Sequence, residues 1–153
     1  EDDCLVLECN LDDTTPELVG ALLPRLLEAG ARDAFTTAIQ MKKQRPGVLL
    51  TVLCRSDRRD AVLDLLFRER TTFGVREYSV RRTVLKRQLV EVTTPYGRVR
   101  VKVGRWRGDE VTAAPEMEDC IRLAAAANVA VRRVYEAASA AAHARPASPS
   151  DAT

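Results

Sequence analysis

The chain has one histidine, His143, in 153 residues. A Ser-His-Asp or Cys-His triad needs an imidazole beside its nucleophile, and an HExxH zinc site needs two. One histidine in a terminal stretch excludes both. Cysteine is also sparse: Cys4, Cys9, Cys54 and Cys120 form no CxxC pair, and three of them sit inside apolar runs that read as strands. This is the pattern of buried free thiols in a reducing compartment rather than of a metal cage or a disulfide framework. No apolar run approaches the roughly 18 residues of a membrane span, and no signal peptide opens the chain. A cytoplasmic protein without membrane attachment is therefore expected. The first residue is Glu1 rather than Met, which reads as a part of something longer. There is no GxxxxGKS/T loop, so P-loop NTPases are excluded, and there is no internal repeat. Aromatic residues are few, at 5%. None falls in residues 4–9 or 48–54, the runs that read as central strands. RNA binding on a sheet needs stacking rings there, so nucleic acid is not an expected partner.

What is present is an ordinary globular balance of 46% apolar and 30% charged residues,. The length suits one full domain with a smaller appendage. The net charge of +2 is spread along the chain, so any anion site must be argued from local clusters,.

Residues 4–9 (CLVLEC) form a nearly unbroken apolar run, as expected for a strand buried on both faces,. A helix follows. Thr14 and Glu17 have capping-box spacing, and Thr15 before Pro16 offers an alternative cap. Leu18, Val19, Leu22, Leu23, Leu26 and Leu27 form its apolar stripe, Pro24 should kink it, and Gly30 stops it. Residues 34–41 alternate as a half-exposed strand, residues 42–47 make a turn, and residues 48–54 are again almost continuously apolar,. Ser56 or Asp57 caps a second helix, with Val62, Leu63, Leu66 and Phe67 predicted to face inward. A fourth strand starts at Val75.

The order β-α-β-β-α-β is a ferredoxin-like split βαβ arrangement. It places the first and third strands centrally, which agrees with their continuous apolar character. Beyond it, residues 88–94 and 98–103 form a predicted β-hairpin, and residues 104–114 read as a loop. Pro115 opens a helix interrupted near Asn128, and a last alanine-rich helix covers residues 131–142. The expected fold is thus α+β, a ferredoxin-like domain over 1–84, a β-hairpin with C-terminal helices over 85–143, and a disordered tail over 144–153. Two helices cover only one face of the sheet. The other is expected to be buried by the rest of the chain or by a second copy, which points to a homo-oligomer, a trimer or hexamer.

This topology gathers three polar connections at one end of the sheet: residues 10–15, 42–47 and 69–74. Asp12 and Asp13 carry hard oxygens of the kind Mg2+ or Mn2+ prefers, or simply favour the positive end of a helix dipole. Lys42, Lys43 and Arg45, on a turn fixed by Pro46 and Gly47, suit phosphate, or discourage pairing at a sheet edge. Thr71, Thr72 and Gly74 could donate to phosphate oxygens or merely end a helix. Together the loops favour a metal–polyphosphate site. Glu116, Glu118 and Asp119 open a later helix. Glu116 and Asp119 share a face, and Glu118 is placed to pair with Arg122. A second metal or substrate contact competes there with a solvated helix start.

Five motifs carry a resemblance. Residues 10–17 (NLDDTTPE), 41–47 (MKKQRPG), 67–76 (FRERTTFGVR), 94–97 (TPYG) and 114–120 (APEMEDC) resemble, in order, the motif series of the LarC family of nickel insertion proteins. The similarity reaches to about Ala142 and concerns the C-terminal part of such proteins. It implies a CTP-dependent nickel cyclometallase, a lyase and metallochaperone. Such a protein installs nickel in the pyridinium-3,5-bisthiocarboxylic acid mononucleotide cofactor of lactate racemase. Carried over, Asp12 and Asp13 are metal contacts for Mg2+ or Mn2+, and Lys42, Lys43 and Arg45 are CTP triphosphate contacts beside Pro46 and Gly47. Arg68, Thr72 and Arg76 are further nucleotide contacts, and Glu116 and Asp119 match the later acidic motif. Arg70 departs from the small polar residue expected at its position. The implied partners are the nucleotide, the nickel-free pincer mononucleotide and the N-terminal part of the same protein, which is expected to hold the nickel. A non-catalytic, nucleotide-sensing oligomeric module is the alternative reading.

Overall fold

The structure, a computed structural model, describes residues 2–69 and 72–146. It divides into two compact units between Val84 and Leu85. The first unit comprises β1 (Asp2–Leu11), α1 (Pro16–Glu28), β2 (Ala31–Gln40), β3 (Pro46–Cys54), α2 (Arg59–Glu69) and β4 (Arg76–Arg82). Short 3-10 turns at Lys42–Gln44 and Ser56–Arg58 connect β2 to β3 and lead into α2.

The sheet order is β2-β3-β1-β4, with every neighbouring pair antiparallel. The two apolar strands are central, as predicted, because only central strands bury side chains while both edges of the backbone are paired. Leu7, Cys9 and Leu11 of β1 and Leu50, Val52 and Cys54 of β3 point to one face. There they pack on Val19, Leu22 and Leu26 of α1 and on Val62 and Leu66 of α2. Strand pairing places Val6 beside Leu53 and Tyr78, and Thr51 beside Phe35, on the opposite face. Phe35 and Tyr78 remain 43% and 46% exposed there.

Thr15 caps α1, its Oγ1 accepting from the Leu18 N–H at 3.4 Å, and Pro16 occupies the first turn, where its missing N–H costs nothing,. The helix continues through Pro24, which sits on its solvent side, because Val19, Leu22 and Leu26 hold the buried side in place. The buried stripe is narrower than expected, since Leu18 and Leu27 are about half exposed. Phe67, predicted to face inward, is also exposed; it flanks the Val62–Leu66 line that the sheet covers.

The second unit comprises β5 (Lys86–Thr94), β6 (Gly97–Trp106), β7 (Asp109–Pro115), α3 (Met117–Ala127) and α4 (Val131–His143). Its sheet is antiparallel in the order β5-β6-β7. Strand β7 corrects the expected loop at 104–114. Arg107 and Gly108, at φ 52° and 96°, form a two-residue hairpin turn, and Trp106 pairs with Asp109 across it,. The charged, glycine-bearing sequence looks like a loop, yet it is held by pairing to β6. Pro115 ends this strand opposite Val101 rather than opening a helix, and α3 begins two residues later. Asn128, left-handed at φ 52°, ends α3 where an interruption was expected. Val99, Val101 and Val103 pack on Cys120 and Ala124 of α3 and on Val134 and Ala138 of α4.

All four cysteines are free and buried. Burial raises the pKa of the Cys54 thiol, helped by neighbouring Cys4, and burial also raises that of Cys120, so neither is an activated nucleophile,. Among the described residues no helix is long and apolar enough to cross a membrane.

Candidate functional site

Strand register builds one rim of the first unit. Leu11 at the end of β1 lies opposite Val48 near the start of β3, and Gln40 pairs with Pro46. The β1–α1 loop and the β2–β3 turn are therefore neighbours. Gly47 lets them close: a Cβ there would stand 2.8 Å from the Leu11 carbonyl oxygen and 2.7 Å from Met41 Sδ. The turn is tied by Met41 N–H donating to the Arg45 carbonyl at 2.8 Å. Within it Lys43 and Gln44 adopt left-handed φ values of 59° and 60°, a costly conformation for side-chain-bearing residues,.

Arg45 Nη2 lies 2.6 Å from Asp12 Oδ2, joining the basic turn to the acidic loop. The contact is an ion pair off the hydrogen-bonding line, and Oδ2 is shielded from solvent without an aligned donor. Asp12's side chain is 20% exposed and Arg45's 56%. Asp13, Lys42 and Lys43 are exposed on the same two connections. Thr15 caps α1 immediately afterwards, so the helix N-terminus follows directly on the acidic loop.

The other predicted positions divide. Arg76 opens β4 and donates from Nη2 to Asn10 Oδ1 at 2.8 Å, with Nε 3.9 Å from Glu8, so it braces the end of β1. Thr72 closes its own turn, Oγ1 donating to the Gly74 carbonyl at 2.9 Å. Arg70 and Thr71 lie outside the described residues. Arg68 lines a groove between α1 and α2 with Arg25, Asp64 and Glu69, where Arg25 and Glu69 form a 2.7 Å ion pair.

A feature not predicted is a cleft of about 350 Å³, walled by Val19, Gly20 and Leu23 of α1 and by Pro46 and Val48 of β3, with Asp12 also lining it. A glycine in the first half of an amphipathic helix, with proline one turn later, was the signal available for it.

In the second unit, Glu116 and Asp119 are engaged with cations. Because β7 stops opposite Val101, the backbone of Arg100 has no strand partner on that side. The first turn of α3 replaces it. Glu116 N–H donates to the Arg100 carbonyl at 2.8 Å, and Asp119 Oδ2 accepts the Arg100 N–H at 2.9 Å. The guanidinium of Arg100 donates to both oxygens of Asp119, each at 2.9 Å, and Glu116 pairs with Lys102 at 3.0 Å. Arg122, expected beside Glu118, lies 3.5 Å from Asp119 instead. These bonds, led by that from the Arg100 side chain, hold the Asp119 carboxyl well below the usual carboxylate range,. Among the described residues no three His, Cys, Asp or Glu side chains converge as a metal cage.

The fold is that of an α+β protein: a split βαβ unit followed by a three-stranded sheet with two helices. Residues 1–135 match the family model described as nickel insertion protein. The chain is 52% identical over 136 residues to a Myxococcus xanthus protein provisionally named for nickel insertion, covering 89% of this chain and 35% of that one. It is 41% identical over 137 residues to the pyridinium-3,5-bisthiocarboxylic acid mononucleotide nickel insertion protein of Acetivibrio thermocellus, covering 90% and 33%. The solved structure of LarC2, described as the apo C-terminal domain of a cyclometallase in synthesis of the NPN cofactor of lactate racemase, matches with a TM-score of 0.88. It is 44% identical, covering 93% of this chain and 98% of that one. A Methanopyrus kandleri crystal structure shares the fold at a TM-score of 0.61 and 24% identity, covering 91% and 86%. The chain belongs to the nickel insertion protein family, LarC, and corresponds to its C-terminal part. It spans about a third of the length of these curated relatives.

Proposed function

We propose that this chain is the nucleotide- and metal-binding part of a CTP-dependent nickel insertion protein. The complete protein would be a cyclometallase that installs nickel in the pyridinium-3,5-bisthiocarboxylic acid mononucleotide cofactor of lactate racemase. The observation that carries this reading is the Asp12–Arg45 contact across two loops, in a chain that belongs to this family.

Asp12, with Asp13 beside it, would hold Mg2+ or Mn2+; the shielded Oδ2 without an aligned donor is the kind of hard oxygen such an ion takes,. When bound, the ion would neutralise phosphate charge. Arg45, drawn off Asp12, offers its two-pronged guanidinium to phosphate, while Lys42 and Lys43 supply mobile point charges. The ion pair therefore makes the two components interdependent. Freeing Asp12 for the cation releases Arg45 for the phosphate.

Arg76 is near enough to the end of β1 to contribute, whereas Arg68 and Thr72 would have to leave their present surroundings. Glu116 and Asp119 serve chiefly as scaffold, holding the free edge of β6. Nickel is the cargo. The four cysteines are buried and His143 is the single histidine, so its ligands are assigned to the N-terminal part of the full protein,. The sheet face opposite the helices, where Phe35 and Tyr78 are about half exposed, suits assembly into a homo-oligomer.

Titration calorimetry with CTP and Mn2+ tests the site. The Asp12→Ala, Asp13→Ala double variant should lose metal-dependent CTP binding altogether. Unchanged affinity would remove the acidic loop from the site. CTP cleavage by the full-length protein separates an enzyme from a nucleotide sensor, which would bind without turnover.

A further inference from the structure

The row of valines that β6 turns toward α3 and α4 ends in a charge. Val99, Val101 and Val103 are buried, and Arg105 is the next residue on that side of the strand. A β-bulge decides what it faces. The register slips between Gly104 and Arg105, so Arg105 pairs with Glu110 and Val111 becomes the extra residue. Without the slip, Val111 would lie opposite the arginine; bulges re-aim side chains in this way. Arg145, just past the C-cap of α4, reaches the same carboxylate. Its Nη2 donates to Glu110 Oε2 at 2.6 Å.

Two cations share one carboxylate here, and their donors are not used up. Arg105 Nε, Arg145 Nε and Arg145 Nη1 are enclosed without an acceptor. Among the described residues they are three of the four enclosed side-chain polar atoms left without a partner, the other being Asp12 Oδ2 at the rim. Buried donors are normally satisfied, and an unmet charged one is the most costly kind. Glu110 is the more open member of the pair, its side chain 31% exposed against 19% for Arg145, so it is the one free to swing out. Another carboxylate in its place would leave the same donors unmet. A phosphate group brings three acceptor oxygens and close to two negative charges to the two guanidiniums.

We propose that Arg105 and Arg145 form a phosphate site in the second unit, with Glu110 as its resident stand-in. An incoming phosphate displaces the Glu110 carboxylate and takes up the donors that this carboxylate leaves unmet. The site shares no residue with the rim of the first unit and needs no divalent metal, because the guanidiniums supply the charge. Free phosphate and a mononucleotide both offer the group, and the test separates them.

Trp106, the single tryptophan, follows Arg105 directly, so its fluorescence reports on this site. Inorganic phosphate and nicotinic acid mononucleotide are titrated in EDTA at constant ionic strength, by fluorescence and calorimetry. Wild type is compared with Glu110→Gln, Arg105→Ala, Arg145→Ala and Arg45→Ala. Glu110→Gln removes the competing carboxylate and should bind phosphate at least fivefold tighter. Arg105→Ala and Arg145→Ala should each weaken it at least tenfold, and Arg45→Ala should stay within twofold of wild type. A carboxylate that only braced the end of α4 would give no such gain. Phosphate should also raise the melting temperature of Glu110→Gln more than that of wild type, since a ligand stabilises more the tighter it binds; a destabilised variant therefore still reports. Tighter binding of the mononucleotide than of inorganic phosphate identifies a nucleotide as the source, and equal or weaker binding identifies the free ion. Unchanged or weaker phosphate binding by Glu110→Gln, no binding of either ligand, or a loss in Arg45→Ala matching that in Arg145→Ala would overturn the site.

Discussion

Asp12 and Arg45 are 33 positions apart and meet at 2.6 Å, joining the acidic loop to the basic turn. Arg45→Ala should therefore weaken CTP at least tenfold but CMP only slightly, because a guanidinium–phosphate contact is a strong charge-assisted bond and a monophosphate lacks the terminal oxygens it would reach. Equal losses for the two nucleotides would argue against polyphosphate contact. Asp119 presents the opposite case. Its acidic helix start resembled a ligand set, but the partner that defines its role, Arg100, lies 19 residues back and bonds it through both backbone and side chain. Because the folded-state pKa of Asp119 lies below its unfolded value near 4, its contribution is present above about pH 4 and is lost as pH falls through the depressed folded value,. The melting temperature of the wild type should fall on acidification below about pH 4. Asp119→Asn should melt lower at pH 7 and show a shallower acid slope; parallel slopes for the two proteins would place the acid sensitivity elsewhere.

At the scale of elements, local sequence read well wherever one force dominated. The caps and apolar stripe of α1, the continuous apolar runs of β1 and β3, and the stop at Asn128 were all visible because burial or capping sets each locally. Strand β7 was not visible. Its residues are polar, and the pairing that holds it comes from β6. Pro115 misled for a related reason: a proline before an acidic stretch fits a helix start, yet here it closes a strand. The β5–β6 hairpin offers a direct check. Gly97 sits at φ 129°, and an added Cβ would stand 2.9 Å from Leu123 Cδ2. Such strain costs about 1–3 kcal/mol, so Gly97→Ala should lower the melting temperature by at least about 4 °C. Gly74→Ala, which meets open space, should leave it nearly unchanged.

For the molecule as a whole, each unit has its own core, and the first leaves one sheet face with Phe35 and Tyr78 about half exposed. Phe35 and Tyr78, on the two edge strands of this face, flank the buried Val6 and Thr51 and offer a surface suited to a second copy,. Light scattering should therefore find an oligomer at micromolar concentration, and Phe35→Asp with Tyr78→Asp should shift it toward monomer; an unchanged mass would place assembly on another surface. Sequence alone determined the element order of the first unit and its central strands, because continuous and alternating hydrophobicity report directly on how many faces a strand buries. It also determined which loops carry the charge, since those residues are local to their turns. Tertiary structure decided which charges meet. Arg45 faces Asp12, and Asp119 is held by Arg100, because strand register and a strand that ends early bring distant backbones together. It also decided where a cleft opens, because an empty volume is bounded by segments that no local pattern relates.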